Sequence, residues 1–278
     1  MPADEHAPSV NDHYGRSDLA EQILAGVRAE GKDLERLTAN DLAPATEFHF
    51  GGKEATVALA RLAKLGAGMR VLDVGGGLGG PARTLASEFA CQVTVLDLTE
   101  EYCRVGDMLT ARTGLSGQVS FRHGDALDMP FGDGSFDVVW TQHSSMNIAD
   151  KDRLYTEIRR VLRRGGSLAM QEIMAGTAGP IYFPVPWARH QGISFLRPPA
   201  AMRALLAQKG FKAITWVDMS APLLEGSRQW LAAIADAGTP PLGVHLLLGD
   251  DFAAMSRNQV RNLEEGRISV IRGVLERS

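Results

Sequence analysis

VLDVGGGLGG, residues 71–80, is the most constrained stretch of this 278-residue chain. Val71, Leu72 and Val74 suit a buried strand, and Gly75, Gly77 and Gly80 then stand at the G-x-G-x-x-G spacing. Pro81 opens the helix PARTLASEF, because the first helical position needs no backbone N–H. Glycines between a strand and a helix let the backbone approach a ligand closely at the positive end of the helix. Asp97 closes the next strand, QVTVLDL (92–98), where an acid can accept from both hydroxyls of a ribose and Leu98 stands beside it. The alternative is an exposed strand-end acid. Together these features imply an adenosine cofactor, and a nicotinamide dinucleotide fits them so far.

Asp73 separates the candidates. An acid two residues before the first glycine would face the dianionic pyrophosphate of a dinucleotide and oppose the helix terminus that binds it. S-adenosylmethionine has no pyrophosphate. Its ammonium and sulfonium are cationic, so Asp73 adds favourable charge near its methionine end. Asp125, in HGDALDMPF (123–131), is placed to accept from the adenine amino group with Ala126 beside the ring, or else simply forms the turn.

Strands and helices alternate outward from this loop. A helix over Ser17–Glu30 and a second amphipathic stretch through Val57, Leu59, Leu62 and Leu65 precede the first strand. Helix Glu100–Thr113, strand QVSFRHGDA, strand SFDVVWTQ, helix Asp152–Leu162 and strand SLAMQEIMA (167–175) follow. MRALLAQKGF is a short helix capped by Gly210, AITWVDM and RISVIRGVLE are the last strands, and about two helices lie between Pro222 and Gly266. This order predicts an α/β, Rossmann-like fold: a seven-stranded, mostly parallel sheet with helices on both faces. Residues 1–278 form one domain, with an N-terminal helical lid (1–50), a cofactor-binding core (51–175), core with substrate-lid insertions (176–266) and a final strand (267–278). Gly176–Pro199, rich in Pro, Gly and aromatics, is read as part of the lid.

A net charge of −4 with 22% charged residues argues against nucleic acid as a partner. Cys91 and Cys103 are the only cysteines and show no metal-ligand spacing, so no metal is expected and a reducing, cytoplasmic setting is. The start, MPADEHAPSVNDHYG, lacks a basic segment and an apolar core, and no stretch approaches the roughly 20 apolar residues of a membrane span. The expected partner is a small-molecule substrate, and a homodimer is compatible with the sequence.

VLDVGGGLGG, VLDLTEEY, GDALDMPF, FDVVWTQ and LRRGGSLAM together resemble the class I methyltransferase motif series, over about residues 50–175. HYGRSDL (13–19), FHFGGKEAT (48–56) and TQHSSMNI (141–148) look like the bacterial sarcosine/dimethylglycine N-methyltransferase branch, related to phosphoethanolamine methyltransferases. The resemblance implies S-adenosylmethionine as cofactor and methylation of a small amine. In the phosphoethanolamine relatives an N-terminal tyrosine pairs with a histidine after strand four. Tyr14 matches that tyrosine, but Asn147 stands at the histidine position and the nearby histidine is His143. Asparagine is no base at neutral pH, so either His143 takes that role or the enzyme only positions an unprotonated amine.

Methyl transfer is an in-line displacement that needs alignment and exclusion of water more than catalytic groups. His143, just past a strand end, carries an imidazole that titrates near operating pH, unless it merely satisfies a loop carbonyl. Gln142 is assigned to the methionine portion of the cofactor. His49, with Gly51 and Gly52, offers a substrate edge and a close backbone approach, or a tight turn into a helix. Tyr14 is either a lid over the sulfonium or a packing residue. Trp187, His190 and Asn147 are assigned to the substrate cavity, with plain packing as the alternative for the aromatic pair, whereas Met146, Met170 and Met174 read as core. Three functions follow: N-methylation of a small amine or amino acid, O- or C-methylation of a natural-product or quinone-like molecule favoured by the apolar FPVPWARHQGISFL, or a silent cofactor-binding protein suggested by the absent histidine.

Overall fold

A computed structural model of the chain describes residues 18–278. Seven strands form one sheet in the order β3-β2-β1-β4-β5-β7-β6. They are β1 Arg70–Val74, β2 Gln92–Asp97, β3 Val119–His123, β4 Phe136–Gln142, β5 Leu162–Ala175, β6 Phe211–Asp218 and β7 Ile268–Arg277. β1 to β5 pair in parallel, and β7 runs antiparallel between β5 and β6. β1 has β2 on one side and β4 on the other, so the chain winds away in both directions from it. Open α/β sheets bind ligands beyond the strand ends at such a switch point.

Period-two alternation distributes the core. Leu72, Val74 and Val139 face one layer with helix α6 (Lys151–Val161) and α7 (Pro199–Gln208), through Leu154, Ile158, Met202 and Leu206. Val71, Val138 and Trp140 face the other, with α3 (Gly52–Leu62) and α4 (Gly80–Phe89). Helices α1 (Leu19–Ala29) and α2 (Ala39–Thr46) pack on α5 (Glu100–Arg112) through Leu19, Ile23, Leu42, Val105 and Leu109.

Four expectations change. Helix α2 has no counterpart in the sequence reading because Pro44 lies inside it; a reciprocal Thr38–Asp41 capping box starts it. β5 begins at Leu162 rather than Ser167. Three helices, not two, separate β6 from β7: α8 Ser220–Ala237, the single turn α9 His245–Leu248, and α10 Phe252–Glu264. The 176–199 segment is less a lid than a wall, since Val185, Trp187, Ala188 and Ile193 are buried. The cover over the strand ends comes instead from residues 222–259. Among the described residues no helix is long and apolar enough to cross a membrane.

Candidate functional site

The strand ends open into a cavity of about 1060 Å³, whose rim and floor are the glycine turn, the ends of β2 and β4, and the 222–259 cover. Its size exceeds most small-ligand sites, leaving space for a cofactor and a second molecule. Gly75 has φ +69°, and a Cβ there would lie 2.5 Å from Ser144 Cβ, so only glycine lets the turn pass beneath the β4 loop. Asp97 fixes this turn: its Oδ2 accepts the Gly77 N–H at 2.8 Å and its Oδ1 the Thr99 N–H at 2.9 Å. Burial raises its pKa, against the pull of those two amides.

Asp73 is buried and its Oδ2 has no hydrogen-bond partner among the described residues. Burial, then the negative charges of Glu47 and Asp97, push its pKa well above the usual carboxylate value. A buried acid with an unsatisfied oxygen at a cavity wall suits a cationic ligand, which would offset all three contributions. Leu98, Ala126 and Gly52 line the same cavity. Asp125 is exposed at its rim, and its Oδ1 accepts the Leu127 N–H at 2.8 Å, so the turn-forming role is filled.

A buried chain of hydrogen bonds runs along the opposite wall. Trp140 Nε1–H, which can only donate, is 3.1 Å from Gln142 Oε1. The Gln142 amide nitrogen therefore faces His49 Nδ1 at 3.1 Å. Nδ1 must accept, which leaves the proton on Nε2, 2.9 Å from Glu47 Oε2. Thr84 Oγ1 donates to the other Glu47 oxygen at 2.6 Å. Burial works to raise the Glu47 pKa, but the hydrogen bonds from His49, Thr84 and Thr56 hold it below the usual range. A carboxyl group with a depressed pKa stabilises the fold above its unfolded value, about 4.3, and loses that contribution as pH falls through the folded value. Glu47→Gln is thus expected to flatten the acid side of the stability profile, read as thermal midpoint against pH below about 5. A variant profile parallel to the wild type would show that Glu47 carries no such linkage.

Residues 72–170 match the family described as "Methyltransferase domain". Residues 72–170 thus carry a methyltransferase domain. The chain is 30% identical over 193 residues to a glycine/sarcosine/dimethylglycine N-methyltransferase of Actinopolyspora halophila, covering 69% of this chain and 34% of that protein. It is 29% identical over 216 residues to a sarcosine/dimethylglycine N-methyltransferase of Halorhodospira halochloris, covering 77% and 76%. The match thus spans about a third of the first relative's length and three quarters of the second's. The fold also matches the cyclase SpnF, with TM-score 0.66, 24% identity and coverage of 94% and 93%.

Around the methyltransferase cavity the remaining residues sort unevenly. Tyr14 lies outside the described residues. Gln142 lines the cavity, yet its amide is committed to Trp140 and His49, so it orients a histidine as well as bordering the ligand space. His49 has both ring nitrogens engaged within the protein, which contradicts a free substrate-facing edge. Asn147 spends its amide nitrogen on the carbonyls of Trp187 and Ile193, each at 2.8 Å, and so ties down the 176–199 wall. Trp187 is 1% exposed and donates to Ser194 Oγ, so it packs while bordering the cavity. His190 is corrected outright: it is exposed, is not among the cavity-lining residues, and caps a 3-10 turn through Gly192 N–H.

His143 does line the cavity, with φ +55°. Its Nδ1 accepts the Phe50 N–H at 3.4 Å, so Nε2 carries the proton, and Nε2 is buried without a partner among the described residues. The expected titration near neutral pH is overturned: burial, then the nearby His49, push its pKa well below the ordinary value. Glu47, Thr56 and Thr84 join the site without a motif to announce them; the one local signal is an acid two residues before His49.

Proposed function

We propose that this chain transfers the methyl group of S-adenosylmethionine to a small, uncharged and largely apolar acceptor that carries an oxygen or nitrogen nucleophile. The observation that carries this reading is the composition of the cavity beyond the glycine turn. Ile173, Leu223, Trp230, Ile234, Leu242 and Phe252 line it, and no arginine does among the described residues. Lys53, which also borders it, is paired with Glu88 and Asn40. An amino-acid carboxylate entering here would lose its hydration without a cation to replace it. N-methylation of an amino acid is the second reading, supported by the two relatives named for sarcosine and dimethylglycine.

Asp97 takes the ribose hydroxyls, Asp73 the positive methionine end, Asp125 with Ala126 and Leu98 the adenine, and Gly75, Gly77 and Gly52 admit the ligand closely. Gln142 borders the methionine portion. The cofactor supplies an electrophilic methyl on a sulfonium. His143 acts as a neutral donor, not a base: its Nε2–H binds the acceptor's oxygen and aligns a lone pair for in-line attack. Bound there, the cofactor would give up its methyl with cleavage of the carbon–sulfur bond as the acceptor's new bond forms, and the acceptor's proton would leave to solvent.

Incubation with labelled S-adenosylmethionine and a panel of phenols, quinols, sarcosine and dimethylglycine tests the reading. Transfer to phenols or quinols is expected; transfer confined to the amino acids would overturn it in favour of the second, and transfer to nothing would favour a silent binding protein. His143→Phe is expected to lower kcat on the accepted substrate about 100-fold, as loss of one positioned donor does, while leaving S-adenosylhomocysteine affinity unchanged. An unchanged kcat would remove His143 from the mechanism.

A further inference from the structure

The turn that follows β4 carries His143, Ser144, Met146, Asn147 and Ile148 along the cavity wall. Two oppositely charged side chains grip it from behind. Lys151 is 2% exposed, and its ammonium donates to the carbonyls of Ser145 and Ile148. Glu172 on β5 is 1% exposed, and its carboxylate accepts the Ser145 N–H at 3.2 Å and 3.4 Å. The N–H and C=O of one residue are therefore held by an anion and a cation.

Burying two such charges is costly, and an apolar pair of similar volume would often be no less stable. What the pair supplies is direction. A backbone that must place His143 at φ +55° is strained for a residue with a side chain, and fixed charges on both sides of Ser145 oppose its relaxation. We propose that Glu172 and Lys151 are positioning residues of the acceptor site, clamping the post-β4 turn so that His143 Nε2–H faces the acceptor. This rests on the reading that His143 serves the acceptor.

The charged and titratable groups that act on Glu172 and Lys151 are few. Lys151 and Tyr155 approach from α6 and Arg197 from the segment before α7, while β4 contributes Thr141 and the turn contributes Ser145. Burial raises Glu172 to about 6, against Ser145, Thr141 and Lys151, and burial lowers Lys151 to about 8. Both charges are thus present between those two values. Below the first the carboxylate takes up a proton and the grip on the Ser145 N–H weakens.

Side-chain nitrogen and carbon NMR of the full chain labelled in histidine, saturated with S-adenosylhomocysteine, tests the clamp without any acceptor. The His143 ring signals are expected to stay in the Nε2–H form and to shift with pH along a curve centred near 6, the Glu172 value. Glu172→Gln should abolish that inflection and Glu172→Asp restore it, with S-adenosylhomocysteine affinity unchanged in both. An inflection that persists in Glu172→Gln overturns the clamp. Should neither variant fold, wild-type His143 signals without an inflection near 6 overturn it equally. A His143 protonated on Nδ1 would instead defeat its role as donor, so the two failures are distinguishable.

Discussion

Asp97→Ala is expected to weaken S-adenosylhomocysteine binding about 100-fold, close to 2.7 kcal/mol. The carboxylate has two tasks that a methyl group cannot share. It accepts the Gly77 and Thr99 amides, which shape the turn and the start of α5, and it borders the cavity, where the proposed function has it accept from a vicinal diol. A hydrogen bond to a charged group contributes about 1.5–3 kcal/mol net, and part of that is regained when water takes the vacated place. Asp97→Asn, which keeps one acceptor oxygen, should fall between, at about 10-fold. Isothermal titration of S-adenosylhomocysteine decides it. An alanine variant that binds as tightly as the wild type would remove Asp97 from the cofactor site.

Features local in sequence are legible there, and features made by distant residues are not. The glycine turn, the strand ending in Asp97 and the alternation of strands with helices follow from spacing and periodicity. The hydrogen-bond chain from Trp140 to Glu47 joins residues 93 positions apart at its Gln142–His49 link, and nothing in either segment signals the other. Sequence alone therefore makes His49 and Gln142 ligand-facing, although each is half-occupied by the other. His143 shows a subtler limit. Its place after a strand is readable, but its protonation depends on burial, which pushes its pKa well below the ordinary imidazole value. The lid is misplaced for a compositional reason: Pro and aromatics mark 176–199 as irregular, yet Trp187 is buried there, and the more exposed 222–259 helices form the cover.

Gly80→Ala is expected to cost about 3 kcal/mol of folding stability, near the upper end for overpacking, and thus to lower the thermal midpoint by roughly 10 °C. Gly80 opens α4 where the end of α2 crosses it. A Cβ there would collide with the Thr46 carbonyl and sit 2.8 Å from the Glu47 amide nitrogen, both backbone atoms that cannot rotate aside. Relief requires the α2 terminus to move, and that segment carries the Glu47 carboxylate held by Thr84 from α4 itself. One methyl group therefore strains the contact that joins the N-terminal helices to the glycine turn, and the hydrogen bonds of Glu47 and His49 move with it. Gly226, inside α8 with open space where a methyl group would stand, is the contrasting site: Gly226→Ala should gain about 0.5–1 kcal/mol from helix propensity alone. Chemical denaturation of the two variants separates the effects. Equal stabilities would mean that the α2–α4 crossing tolerates a side chain and that glycine at position 80 serves the ligand instead.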